Sequence, residues 1–296
     1  YKKKYKKYNK LIFLHIYNSI VYAADNLGYI YALELNSGKL IWAKNFGIPF
    51  RSNIKIINDQ IFIADQDNTI HVISKTDGKK LFNLPTTETT LKNNFINSLS
   101  LGKNSLFYLN TFGSLYSFNA DNFRINWLVN INQNSEFRPG NLFYANPIIY
   151  YRKKIIISSD TFLQIFDSLT GRTIYKKAIT SVVKPIISGD NLFIITKDNL
   201  LVCINIFKGE IIFSINIADK IADYLETKKK SVITKSIFLL NNELFIFLNN
   251  SYLIRLEKGD QIKEIIKLKK NLNIGPIFYN NLMMYIDSKN KLIVTN

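Results

Sequence analysis

The feature that most constrains this chain is a short pattern that returns. The stretch VYAADNLGYIYALELNSGKLIW, Val21 to Trp42, holds an Ala-Asp turn, a glycine, an alternating apolar run, a Ser-Gly turn and a tryptophan. Aligned on the glycine of NSG (Asn36 to Gly38), further copies appear at TDG (Thr76 to Gly78), DNF (Asp121 to Phe123), LTG (Leu169 to Gly171), FKG (Phe207 to Gly209) and EKG (Glu257 to Gly259). The intervals run from about 38 to about 50 residues, the period of units that cannot bury their apolar faces alone and so must stack on their neighbours.

Each copy has the same internal layout. Four positions after the turn an aromatic recurs as Trp42, Phe82, Trp127, Tyr175 and Phe213, and the sixth copy departs with Lys263. Eight positions before the turn residue stand Ile30, Ile70, Leu115, Leu163 and Leu201; six before it stand Ala32, Val72, Ser117, Ile165 and Cys203. That period of two is a strand repeated in register. Upstream lie the apolar runs Val21 to Asp25, Ile61 to Asp65, Leu106 to Asn110, Ile155 to Asp160, Leu192 to Thr196, Leu244 to Asn249 and Leu282 to Asp287. Shorter runs, such as Ile54 to Ile57 and Pro185 to Ser188, precede them. The unit is therefore four strands, inner to outer, and the fold class is an all-β propeller with six near-complete blades and a partial seventh. A sheet packed on both sides wants apolar residues on both faces, and a large aromatic on the outer strand would fill the wedge between splayed blades. The repeats account for nearly the whole chain, so residues 1–296 read as one domain.

The register decides how the N-terminal region is read. YKKKYKKYNK followed by LIFLHIYNSIVYAA imitates a signal peptide, but Val21 to Asp25 superimposes on Ile61 to Asp65, which makes the apolar stretch the inner two strands of the first blade. Composition narrows the chemistry further. One cysteine excludes an intrachain disulfide and a four-cysteine zinc site, and two histidines, His15 and His71, are too few for a histidine-rich one. The net charge of +17 comes from 39 Lys and Arg against 22 Asp and Glu. The lysines are scattered at turns and strand ends, and only YKKKYKKY interleaves aromatics with basic residues as nucleic-acid modules do. No nucleic-acid partner is expected, and no segment has the uninterrupted apolar length of a transmembrane helix.

The first copy, with Ala24-Asp25, Gly28, Tyr31-Ala32-Leu33, Ser37-Gly38 and Trp42, resembles the pyrroloquinoline-quinone-like propeller repeat family. One class of that family holds quinoprotein dehydrogenases, with an adjacent cysteine pair, calcium ligands and a catalytic Asp. The other holds non-enzymatic scaffolds, including the BamB-type outer-membrane assembly lipoproteins, similar in length and makeup to this chain. Here the one cysteine, Cys203, falls at a core position of the repeat. The resemblance therefore implies the scaffold class: not an enzyme, no cofactor, no metal site, and an envelope partner such as an outer-membrane assembly component. It also implies a periplasmic location, a monomer held within a complex, membrane contact only through an N-terminal lipid anchor, and an eighth blade in the full-length protein. Within the family the alternatives are a quinoprotein-type oxidoreductase and an anion- or ligand-binding sensor.

Asp25, Asp65, Asp160 and Asp287 recur at equivalent turns and are read as turn residues, and His71 as an exposed or blade-flank residue. Three connections from an outer strand to the next inner strand are long: Leu84 to Phe95, Asn130 to Pro147 and Ala218 to Lys235. The third has Ile221, Tyr224 and Leu225 at helical spacing, which predicts a short helix. Such connections gather on one end of the sheets, where binding residues of a rigid scaffold concentrate. Glu136, Phe137, Arg138, Tyr224 and Leu225 are the candidate partner-binding residues.

Overall fold

The computed structural model describes residues 11–89, 96–132, 142–228, 232–257, 261–270, 272, 275–279, 282–289 and 291–295. Among these described residues seven antiparallel sheets follow one another, and in each the strands lie in chain order. The first is made of Ile12–Tyr17, Ile20–Asp25, Tyr29–Glu34 and Leu40–Asn45. The next five occupy residues 55–84, 98–130, 149–177, 186–216 and 234–267, and the seventh has three strands between 277 and 295. This is a seven-bladed β-propeller. The apolar stretch that imitates a leader is the hairpin Ile12–Tyr17 and Ile20–Asp25, with Phe13 opposite Ala24 and Ile16 opposite Val21. Its turn residues Asn18 and Ser19 both take positive φ, as a two-residue hairpin turn demands.

The chain forms two compact units, one of residues 1–157 with 166–174 and the other of 158–165 with 175–296. In the first, Tyr22, Ala24, Ile30 and Ala32 of one sheet pack on Phe50, Ile54, Ile61 and Ile63 of the next. The other face of that second sheet, Phe62, Ala64, Ile70 and Val72, packs on Leu99, Leu106, Tyr108 and Phe118. The second unit repeats the arrangement, with Leu201 and Cys203 against Ile237, Leu244 and Ile246. Both faces of the second and third strands are thus buried in the second to fifth sheets, as packing on both sides requires, whereas in the first sheet only the face of Tyr22, Ala24, Ile30 and Ala32 is fully buried. The outer strands depart from that expectation. Leu40–Asn45 and Ile125–Asn130 are exposed at most positions, because the outer strand is an edge with no neighbour beyond it in its own sheet.

The recurrent aromatic does more than fill a wedge. Trp42 Nε1 donates to the Lys75 carbonyl at 3.1 Å, Trp127 Nε1 to Ser168 at 3.2 Å, and the Tyr175 hydroxyl to Ile206 at 2.9 Å. Each acceptor lies in the turn between the third and outer strands of the following sheet. The ring then lies over that turn's glycine: a Cβ on Gly78 would sit 2.6 Å from Trp42, and one on Gly171 2.6 Å from Trp127. These glycines also hold φ of +70° and +72°, so the position excludes a side chain twice over. In the third sheet Phe123 occupies the slot at φ +59°, and the facing aromatic is Phe82, ring centres 5.8 Å apart.

The sixth sheet corrects a reading by spacing. Four positions past the turn stands Lys263, but the residue in the aromatic's register is Glu264. It pairs with Arg255 as Trp42 pairs with Ala32 and Phe213 with Cys203. Arg255 bonds Glu264 at 2.6 Å and Glu243 at 2.9 Å, and Lys263 also bonds Glu243. The following sheet has no outer strand among the described residues, hence no turn for an aromatic to cover. Arg255 instead lines a cleft of about 600 Å³ with Phe245, Leu253, Phe278 and Ile293.

Candidate functional site

The recurrent polar residue after each second strand is a turn acceptor. Asp25 Oδ1 accepts from the Leu27 and Tyr29 N–H groups, both at 2.9 Å, and Asp287 Oδ1 from those of Lys289 and Lys291, both at 2.8 Å. Asn110 does the same for Phe112 and Ser114. These bonds hold the carboxylates of Asp25 and Asp287 on the backbone, as the reading of turn residues over acid catalysts requires, and the Lys289 and Lys291 bonds keep the Asp287 carboxyl below its usual range, the backbone bond of Lys291 contributing most. In the fourth sheet the acceptor is Ser159, bonded to Thr161 and Phe162, and Asp160 is exposed beside it. Alignment by spacing places Asp160 one residue too late for the turn.

Asp65 has a second bond. Its Oδ1 accepts from Asp67 and Thr69, while Oδ2 meets His71 Nε2 at 2.7 Å. His71 is 4% exposed and is walled by the Phe46 and Phe50 rings at 5.3 and 6.0 Å. The flank position of His71 is confirmed and its exposure is not, because the two rings of the preceding connection close over it. The pair is sealed from solvent and presents no base to a substrate. Cys203 is likewise 1% exposed, and burial pushes its thiol up to about 11. Among the described residues no group of three or more His, Cys, Asp or Glu is placed to hold a metal ion, and no helix is long and apolar enough to cross a membrane.

Two of the candidate partner-binding residues lie on the connection between the fifth and sixth sheets. Asn216 ends the outer strand and caps a helix, Ile217–Tyr224: its Oδ1 accepts from Ala218 N–H at 2.9 Å and Asp219 N–H at 3.2 Å. This is the helix that the spacing of Ile221, Tyr224 and Leu225 predicts. Asp219 in the first turn complements the positive end of the helix dipole. The helix closes with Leu225 N–H on Ile221 O at 3.0 Å, after which Glu226 turns left-handed at φ +50°.

Ile217 and Ala218 are buried against the sheets. At the other end of the helix Tyr224 is 48% exposed, and Leu225, 45% exposed, stands on the lip of a cleft of about 330 Å³. Ala218, Ile221, Val232, Leu248 and Tyr252 form its walls, and Lys228 stands at its edge. Ile233, 65% exposed, follows on the same connection. Tyr224 and Leu225 lie next to each other at the end of this helix, whereas Glu136, Phe137 and Arg138 lie outside the described residues. Sequence reasoning misses Ile233, although an apolar residue in a lysine-rich connection is a usable signal. In the other unit Ile96 and Tyr144 are exposed on the two other long connections, and spacing alone singles out neither.

A family model described as outer membrane protein assembly factor BamB matches residues 12–215. Among solved structures, the crystal structure of BamB from Moraxella catarrhalis superimposes with a TM-score of 0.76 at 14% identity, covering 96% of this chain and 83% of that one. The crystal structure of the computationally designed Ika8 protein superimposes with a TM-score of 0.53 at 12% identity, covering 96% of this chain and 95% of that one. No curated protein matches the chain.

Proposed function

The chain belongs to the family of the outer membrane protein assembly factor BamB, and from that premise we propose that it is a non-catalytic propeller scaffold that holds a partner in outer-membrane β-barrel protein assembly. On this reading residues 1–296 act as one propeller domain on the periplasmic side of the outer membrane. The partner is an envelope protein, and it docks on the long connections.

The observation that carries the reading is the exposed Leu225 on the lip of a largely apolar cleft, with the exposed Tyr224 next to it at the end of a capped helix. Aromatic and aliphatic anchors beside a desolvated pocket are where interface energy concentrates. A helix tied at both ends presents them with little ordering cost. The sealed His71–Asp65 pair and the buried Cys203 support a reading without bond chemistry.

The test is binding of the purified chain to the outer-membrane assembly component it accompanies. Leu225→Asp and Tyr224→Ala are each expected to weaken capture by about tenfold or more, as loss of a hot spot worth over about 1.4 kcal/mol does. Unchanged urea unfolding midpoint and slope in each variant would show that the fold is intact. Wild-type affinity in both variants would refute the docking surface, and turnover of a quinone-dependent substrate would refute the scaffold.

A further inference from the structure

Where the second and third sheets meet, polar side chains are buried in unusual number. Asn68, Asn97, Tyr108, Asn110 and Thr111 are each at most 3% exposed. Asn97 Nδ2 donates to Asn68 Oδ1 at 3.1 Å and Tyr108 Oη at 2.9 Å, and reaches the Asp65 carbonyl at 3.3 Å. Thr111 donates from its hydroxyl to Asn68 Oδ1 at 3.0 Å. Asn110 Oδ1 is engaged by two turn N–H groups.

These bonds determine which way the two amides point. Turning Asn97 over would bring its oxygen against the carbonyl oxygens of Asp65 and Asn68. Turning Asn110 over would set its NH2 against the Phe112 and Ser114 N–H groups. With both orientations set, Asn97 Oδ1 is left as a buried acceptor and Asn110 Nδ2 as a buried donor, neither with a protein partner. A buried polar atom without a partner costs about 1–3 kcal/mol, and two of opposite kind in one place call for something that both accepts and donates.

Both residues line the same small cavity, about 10 Å³, together with Ile96, Ser98, Leu109, Thr111, Phe143 and Ala145. That is the space of about one water molecule. We infer that a single ordered water occupies it, accepting a hydrogen bond from Asn110 Nδ2 and donating one to Asn97 Oδ1. Ser98 and Thr111 line the same cavity, and each hydroxyl keeps a lone pair for the further bond such a water needs.

The position gives the water a mechanical role. Asn97 ends the connection that leaves the second sheet. The turn 110–113 is gripped by both ends of the connection that leaves the third sheet, through Ile131 N–H on Gly113 O and Phe143 N–H on Thr111 O, both at 2.8 Å. A water between Asn97 and Asn110 therefore ties the roots of two long connections to each other.

A crystal structure at a resolution that shows waters tests this directly. The expected result is a density peak about 2.6–3.2 Å from both atoms. Water–protein cross-relaxation in solution should also show long residence at the Asn110 side-chain amide. A dry cavity, or the two amides bonded directly to each other, would overturn the inference, as would water exchange at that amide as fast as at the surface.

Discussion

The contact between an outer-strand tryptophan and the next sheet's turn glycine gives a prediction whose parts separate. In Gly171→Ala the new Cβ faces two costs. The backbone is held at φ +72°, a left-handed conformation that costs an L-residue about 1–2 kcal/mol. The methyl would also lie 2.6 Å from Trp127 Cε3 and 2.7 Å from Cδ2. The ring must yield, which costs about 1–3 kcal/mol as overpacking and puts at risk the Nε1 bond to Ser168, worth about 1 kcal/mol. The combined cost is about 2–6 kcal/mol, the upper end if the Nε1 bond is lost as well. Gly38 is the control, with φ +68° and open space within 4 Å of the point where a Cβ would stand, so Gly38→Ala should cost only the first part. Urea unfolding followed by far-ultraviolet circular dichroism gives both values, with matching slopes required before they are compared. In a Trp127→Ala background the cost of Gly171→Ala should fall to that of Gly38→Ala, a coupling of about 1–3 kcal/mol. Trp42 and Trp127 are the chain's two tryptophans, so emission changes in Gly171→Ala report the ring that moves. Equal costs for the two glycine variants, or no relief on removing Trp127, would refute the reasoning.

Tyr175, whose hydroxyl is raised from 10.0 to about 12 by burial, should contribute stability that is fully present below pH 10 and is lost as pH rises toward 12. Tyr175→Phe should cost about 1 kcal/mol at neutral pH and flatten that alkaline limb, as measured by denaturation against pH. Cys203, its thiol held up at about 11, should resist thiol reagents in mildly alkaline buffer while folded and react at the rate of unfolding, which a timed labelling experiment reads. Asp25→Ala should cost about 1 kcal/mol as a lost turn acceptor, whereas Asp65→Ala should cost about 3 kcal/mol or more, because it also strands the buried His71 Nε2; equal values in chemical denaturation would contradict the buried pair.

Much of the blade is legible in the chain because it depends on local periodicities. Alternation at Ile30 and Ala32, repeated at Ile70 and Val72, is dictated by the pleat, and turn glycines are dictated by φ. The helix after Asn216 is legible for the same reason, since the spacing of Ile221, Tyr224 and Leu225 expresses helical geometry. Alignment by spacing fails where a turn differs in length or in the residue serving as acceptor. Lys263 is read for Glu264, and Asp160 for Ser159, because pairing across strands sets the register and counting along one strand does not.

What the sequence alone determined is the repeating unit and its class of fold, since a period of two inside a period of about 40 residues leaves few ways to bury these side chains. Tertiary structure decided what each exception means. His71 is sealed because Phe46 and Phe50 arrive from the connection that precedes its sheet, and Glu264 makes an ion pair with Arg255 where its counterparts in other sheets are aromatic, the following sheet presenting no turn there among the described residues. Asn97 and Asn110 face one cavity only once two sheets meet. Those facts depend on distances between residues far apart in the chain, which close packing creates and local preference does not encode.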